Sequence, residues 1–297
     1  MTTGISDANS LAFTQNVDLL AQQMLSKIED TVNVRDFVGE GAQDVQQLST
    51  IDLDEVVAVD GDTNYGNITH TSRWLYPSPY DKALLIDKVS EMLSIADFKS
   101  PYVSALVAAA YRKVDDVFFS GYYGTNKTGK QGGTSTSFTS ANEIAATVGA
   151  ASSTGLNPEK VLKAIEVLAG NDALDDTGGD QIFAVIGPKQ RTDLLRFVEV
   201  ASGDFTAKTA YSTGQIPPGW MGVNWRISTR LTTSSGTVKR APLYVKSGVV
   251  LGYWMRPNAE LFQNPGKKNN WTAQMRMMLG ACRRSELKCA SMLCDEA

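Results

Sequence analysis

The sequence predicts an α+β fold in which core elements are joined by long, extended and mostly polar excursions. Three observations carry this. Apolar residues recur at helical spacing over 100–120, marking one long amphipathic helix. A helix–strand–helix pattern covers 157–198, and strand-like runs follow from about 220 to the end. Between Ile51 and Ile86 the residues read as a hairpin-like excursion with too little apolar surface to stand alone.

Taken in order, Val17, Leu20, Met24, Leu25 and Ile28 recur at helical spacing and predict a short helix near 16–29. Residues 36–50 are polar, rich in Gln and Gly, and read as an irregular arm. Glu55 to Val59 is strand-like, and Gly61 to Gly66 supplies the turn residues of a hairpin tip. Asn67 to Tyr76 is a second extended run, broken by Pro77 and Pro79, and Asp81 to Ile86 continues towards the body.

The strongest helix signal comes next. Ser100 can cap it and Pro101 suits its first turn. Val103, Leu106, Val107, Ala110, Val114, Val117 and Phe118 share one stripe, and Gly121 or Gly124 ends it. Residues 124–138 are rich in Gly, Thr and Ser and read as a flexible loop. Asn157-Pro158 opens a second helix to Gly170, Gln181 to Ile186 is a buried strand, and Gly187-Pro188 turns into a third helix. Residues 201–218 read as loop; strands are expected near 220–228, 242–246, 249–255 and through the last forty residues.

Composition narrows the function. Of 297 residues, 42% are hydrophobic and 20% charged, enough for a sizeable core. No apolar run approaches the ~18 residues of a membrane span. Residues 1–10 lack a basic start followed by an apolar stretch, so a protein made and used in a cytoplasm is expected. Residues 1–62 hold twelve acids against Lys27 and Arg35, a charge of −10; the whole chain carries −4, which leaves the remainder at +6. An acidic arm on a mildly basic body can dock on another copy, although a merely solvated acidic stretch explains the same residues.

Candidate chemistry is sparse. Gly124 to Gln131 approaches a phosphate-binding loop, but Gln131 stands where a hydroxyl should hold magnesium, and the segment follows a helix. Asp60, Asp62 and Asn64 resemble the start of a calcium loop, yet Gly66 is one place late and Thr71 replaces the bidentate Glu. His70 is the sole histidine, and no Gly-x-Ser-x-Gly elbow exists. Asp172, Asp175, Asp176 and Asp180 read as a solvated loop. Cys282, Cys289 and Cys294 match no zinc spacing and read as reduced, buried thiols in terminal strands. Arg226, Arg230, Lys239 and Arg240 form a mild basic zone suited to the acidic arm of another copy. No catalytic residue, cofactor or metal ligand is assigned.

The order of parts, with Thr71-Ser-Arg-Trp-Leu-Tyr-Pro-Ser-Pro-Tyr-Asp-Lys82 on the excursion and Val117-Phe-Phe-Ser-Gly-Tyr-Tyr-Gly-Thr-Asn-Lys-Thr-Gly129 closing the helix, resembles tailed-phage major capsid proteins of the Hong Kong 97-type fold. That resemblance implies an N-terminal arm at 1–48 and an extended loop at 49–90 lying over an adjacent subunit. It implies a peripheral domain of 91–139 and 256–297 with a spine helix at 100–121, and an axial domain at 140–255.

The function it implies is a non-enzymatic head protein. Copies would assemble as hexamers and pentamers into an icosahedral shell around double-stranded DNA, contacted without sequence preference. Portal, scaffolding and decoration proteins are the implied partners, and the virion, assembled in the host cytoplasm, the implied location. Candidate subunit-contact residues are Arg73, Trp74, Leu75, Tyr76 and Lys82, since aromatic and Arg side chains dominate interfaces, with the acids Asp54, Glu55, Asp60 and Asp62. Packing of the aromatic group onto its own body is the alternative. A cellular nanocompartment shell of the same fold, and a soluble α/β enzyme, are the competing functions.

Overall fold

The computed structural model describes residues 22–55, 65–86, 99–174, 180–201 and 216–297. In chain order the strands are β1 (Asn33–Asp36), β2 (Ala42–Leu48), β3 (His70–Leu75), β4 (Ser78–Ile86), β5 (Asn126–Thr128), β6 (Thr134–Thr136) and β7 (Glu143–Ile144). They continue as β8 (Ile182–Ile186), β9 (Val223–Ile227), β10 (Thr233–Ser235), β11 (Val238–Val245), β12 (Val249–Asn264), β13 (Asn270–Arg283) and β14 (Cys289–Asp295). The helices are α1 (Lys99–Tyr123), α2 (Pro158–Gly170) and α3 (Pro188–Ala201). Contacts divide the chain into two units: Met1–Ser26, Ser78–Val114 and Trp254–Leu279 form one, and Lys27–Pro77, Asp115–Tyr253 and Gly280–Ala297 the other.

In the first unit β4 runs antiparallel to β13, and β13 neighbours β12. Pro79 lies in β4, the sheet's edge among the described strands, which is where strands accommodate proline. Leu106 and Ala110 bury one side of α1 here.

The second unit holds two further sheets. A six-stranded one runs β7-β14-β11-β8-β9, with β10 paired to β11. β8 is buried from Phe183 to Ile186, the continuous apolar run of a strand covered on both faces. Asn157 caps α2, its side chain accepting from Lys160 N at 2.8 Å, with Pro158 in the first turn. Val161, Ala164 and Leu168 of α2 then meet Ala184, Ile186, Leu243 and Met292 in one core. The other sheet is antiparallel throughout, in the order β2-β3-β5-β6. β1 adds to the start of β12 in parallel, Asn33 opposite Val250 to Asp36 opposite Tyr253.

Several expectations are corrected. The part of the 16–29 helix that is described is not helical: residues 22–28 are irregular and a 3-10 turn covers Glu29–Thr31. Tertiary burial wins there. Ile28, Thr31 and Val32 are buried, and the Thr31 hydroxyl lies 2.6 Å from both Ile28 O and the Tyr244 hydroxyl. The polar arm of 36–50 contains a seven-residue strand, β2, because backbone pairing with β3 needs no apolar side chains. The supposed flexible loop 124–138 is the β5–β6 hairpin, turned by Gly129, Gln131 and Gly132 at positive φ. α1 begins at Lys99, so Ser100 is inside it rather than its cap. The strand read at 55–59 and its tip at 61–66 fall largely outside the described residues, as does most of the loop 201–218.

Candidate functional site

The site of interest is the root of the excursion between β2 and β3. Ser49 N donates to Thr69 O at 3.0 Å, and Thr69 N to Ser49 Oγ at 3.1 Å, closing the two strands just beyond their last ladder pair. Beyond that clasp residues 51–55 and 65–69 are all exposed. Leu53 is 99% exposed and Tyr65 91%, with Ile51 and Ile68 also open to solvent.

The root itself is anchored by charge. Arg73 of β3 is 7% exposed, and its Nη1 lies 3.3 Å from Glu286 Oε1. Glu286 Oε2 accepts from Arg283 Nε at 2.7 Å. Arg283 is fully buried; its Nη1 donates to Tyr122 O, to Gly124 O at 2.9 Å and to Gly121 O at 3.4 Å. Those are carbonyls at the end of α1, where backbone acceptors lack helical partners and a cation is favoured. Gly121 is required here, since a Cβ would strike the Ala281 carbonyl oxygen. Phe118, Phe119, Tyr122, Tyr123, Phe138 and Tyr244 surround this helix end as a chain of tilted and edge-on rings. Burial drives the Tyr122, Tyr123 and Tyr244 hydroxyls well above the usual tyrosine range.

The candidate contact residues are distributed as follows. Arg73 and Leu75 are buried in their own subunit, Leu75 against Gly252. Trp74 Nε1 donates to Gly129 O at 2.8 Å, and the Tyr76 hydroxyl to Gln131 O at 3.4 Å while its ring stays exposed. Lys82 on β4, and Asp54 and Glu55 beyond β2, are exposed. Asp60 and Asp62 lie outside the described residues. The basic zone is already engaged within the chain. Arg226 pairs with Asp30, whose carbonyl accepts from Lys246 Nζ at 3.0 Å. Arg230 makes a bidentate bond to Asp116 at 2.5 and 2.7 Å, Arg240 lies 3.1 Å from Glu143, and Lys239 Nζ donates to Thr233 Oγ1 at 2.8 Å.

The remaining candidates have ordinary surroundings. The segment from Gly124 to Gln131 that approaches a phosphate-binding loop is strand β5 and the hairpin turn that follows it. His70 is an exposed strand residue. Asp180 accepts from Lys288 Nζ at 2.7 Å and from Ser247 Oγ at 2.9 Å, while Asp175 and Asp176 lie outside the described residues. All three cysteines are buried and unbridged. Burial pushes the Cys294 thiol up to about 12 and that of Cys289 higher. Among the described residues no group of three or more His, Cys, Asp or Glu could hold a metal, and no helix is long and apolar enough to cross a membrane.

Sequence reasoning missed Arg283 and Glu286. Arg283-Arg284-Ser285-Glu286 between two apolar strands reads as an exposed turn, and nothing in it marks the first arginine as inward-facing.

A family profile described as a phage capsid protein matches residues 5–296. The chain belongs to the phage capsid protein family. Solved structures agree in fold. The capsid of cyanophage P-SCSP1u is 17% identical with a TM-score of 0.71, covering 98% of this chain and 94% of that one. The capsid of Ralstonia phage GP4 is 11% identical with a TM-score of 0.70, covering 95% and 94%. The head structure of Helicobacter pylori bacteriophage KHP40 is 12% identical with a TM-score of 0.66, covering 99% and 98%. No curated protein sequence matches the chain. The α+β capsid fold expected from the sequence is therefore present, and this capsid protein is structural rather than enzymatic, part of the virion shell that its copies build together.

Proposed function

We propose that this capsid protein is the major head protein of a tailed phage, closing hexamers and pentamers of itself into an icosahedral shell around double-stranded DNA. Residues 49–90 act as the extended loop laid over the adjacent subunit, and residues 1–48 as the arm. Residues 100–121 are the spine of the peripheral domain, and 140–255 form the axial domain. Assembly takes place in the host cytoplasm, with a portal, a decoration protein and either a scaffolding protein or none as companions. The packaged DNA is contacted without sequence preference.

One observation carries the loop assignment: the excursion presents Ile51, Leu53, Tyr65 and Ile68 to solvent beyond a firmly anchored root. Covering a fully exposed Leu or aromatic side chain is worth about 1.5–3 kcal/mol. A neighbouring subunit supplies that cover, and repetition around a closed shell multiplies the gain. Tyr76, Lys82, Asp54 and Glu55 are exposed and border the same interface. Arg73, Trp74 and Leu75 act there by holding the root.

The test deletes residues 50–68, joining Ser49 to Thr69, which the native clasp already brings together. The expected result is a folded, soluble subunit that builds no closed particles by electron microscopy, while the full chain builds particles holding nuclease-protected DNA. Normal shells from the shortened chain would sink the proposal.

A further inference from the structure

In the first unit a small apolar cleft of about 230 Å³ opens between α1 and the face of the β4–β13 ladder. Leu106 and Ala109 form its helical wall. Tyr80 stands opposite Met277 and Lys82 opposite Met275 in the ladder, so these four share the face turned to the helix. Lys113 completes the rim, its Nζ 4.6 Å from the centre of the Tyr80 ring. Asp81 also borders the cleft, but alternation puts its side chain on the other face, across from Arg276. The rim is therefore cationic and the floor apolar. Its volume is below the ~300–1,000 Å³ of small-molecule pockets, whereas a cavity of roughly 150 Å³ already holds a benzene-sized group. One or two apolar side chains match it.

The complementary object is on the same chain. Leu53 is the most exposed large apolar residue among the described ones, and it is followed by the exposed acids Asp54 and Glu55 and preceded by exposed Asp52. It stands five positions beyond Leu48 at the end of β2, a reach of up to ~17 Å in extended chain. We propose that Leu53 of one subunit inserts into the Tyr80–Leu106–Met277 cleft of a second copy, with Asp52 and Glu55 beside Lys82 and Lys113. This rests on the reading of 49–90 as the overlapping loop and names its receiver. Each subunit both gives a knob and offers a cleft, a head-to-tail contact that repeats around a ring.

The test uses differently tagged full-length chains, one carrying Leu53→Cys and the other Ala109→Cys, or Lys113→Cys as a second site nearer solvent. The native cysteines are buried, which keeps the background low. Mild oxidation of assembled particles is expected to give a mixed-tag disulfide dimer that dissociated subunits do not form. Glu55→Lys and Lys82→Glu are each expected to lower particle yield at least tenfold at low salt, and the double reversal to restore it. If the 50–68 deletion abolishes shells yet neither cysteine pair closes, the loop reading stands and the cleft assignment falls. If the deletion leaves shells intact, both fall. Closure of an intrachain bridge between Leu20→Cys and Ala109→Cys in particles gives the cleft to the chain's own leading segment and overturns the proposal.

Discussion

Arg73 and Glu286 form an ion pair at 3.3 Å inside the second unit, 213 positions apart in sequence. The other oxygen of Glu286 holds Arg283, and Arg283 closes the end of α1. One carboxylate thus ties the root of the excursion to the terminus of the long helix. The root is a fixed mount, and the exposed Leu53 and Tyr65 lie beyond it.

Glu286→Ala leaves two buried guanidinium groups without their counter-charge. Breaking one partner of a buried pair costs about 3–5 kcal/mol. Denaturant unfolding of the subunit is expected to show a loss of that size. A near-neutral result would mean that the pair is solvated in solution.

Gly121→Ala places a methyl group against the backbone of Ala281, which has no rotamer to move. Overpacking of this kind costs ~1–3 kcal/mol or more. The thermal midpoint is expected to fall clearly, while Gly170→Ala, with open space around it and a better helix former in place, holds or raises it.

Alkaline pH should attack the aromatic cluster. Burial raises Tyr122, Tyr123 and Tyr244 above the ordinary value of 10.0, so the native state keeps protons that the unfolded chain releases. Their contribution to stability is complete below pH 10.0 and is lost as pH rises above it. Ultraviolet titration should show these tyrosinates forming only together with the loss of near-ultraviolet circular dichroism.

Two acid-to-amide changes separate tie from ornament. Asp30–Arg226 is largely exposed, and such pairs are worth roughly 0–1 kcal/mol, so Asp30→Asn is expected to be almost silent. Asp116 receives both forks of Arg230 and is two-thirds covered, so Asp116→Asn is expected to lower stability measurably more in parallel unfolding curves.

The thiols should be inert. Cys282, Cys289 and Cys294 are buried, and burial disfavours the reactive thiolate of the last two. A thiol reagent is expected to label none in the native subunit at neutral pH and all three after denaturation.

Segments whose partners are close in sequence were legible. The stripe from Leu106 to Phe118, the Asn157-Pro158 start of α2, the apolar run of β8 and the Gly187-Pro188 turn into α3 each carry a local signature, and the structure has them where the pattern puts them. Polar strands were not. β2 and β5–β6 pair through their backbones, and Gln, Thr and Lys side chains record nothing of that.

The sequence by itself determined the α+β class, the long helix and the buried thiols. Those features follow from periodicity and composition. Only the tertiary structure decided that Ile28 to Val32 leave the helical pattern, that Arg226 and Arg230 are held by Asp30 and Asp116, and that Arg283 turns inward. The reason is range. A charge has no periodicity, and whether it faces water or a distant carbonyl is set by free energies that exist only once remote strands have met.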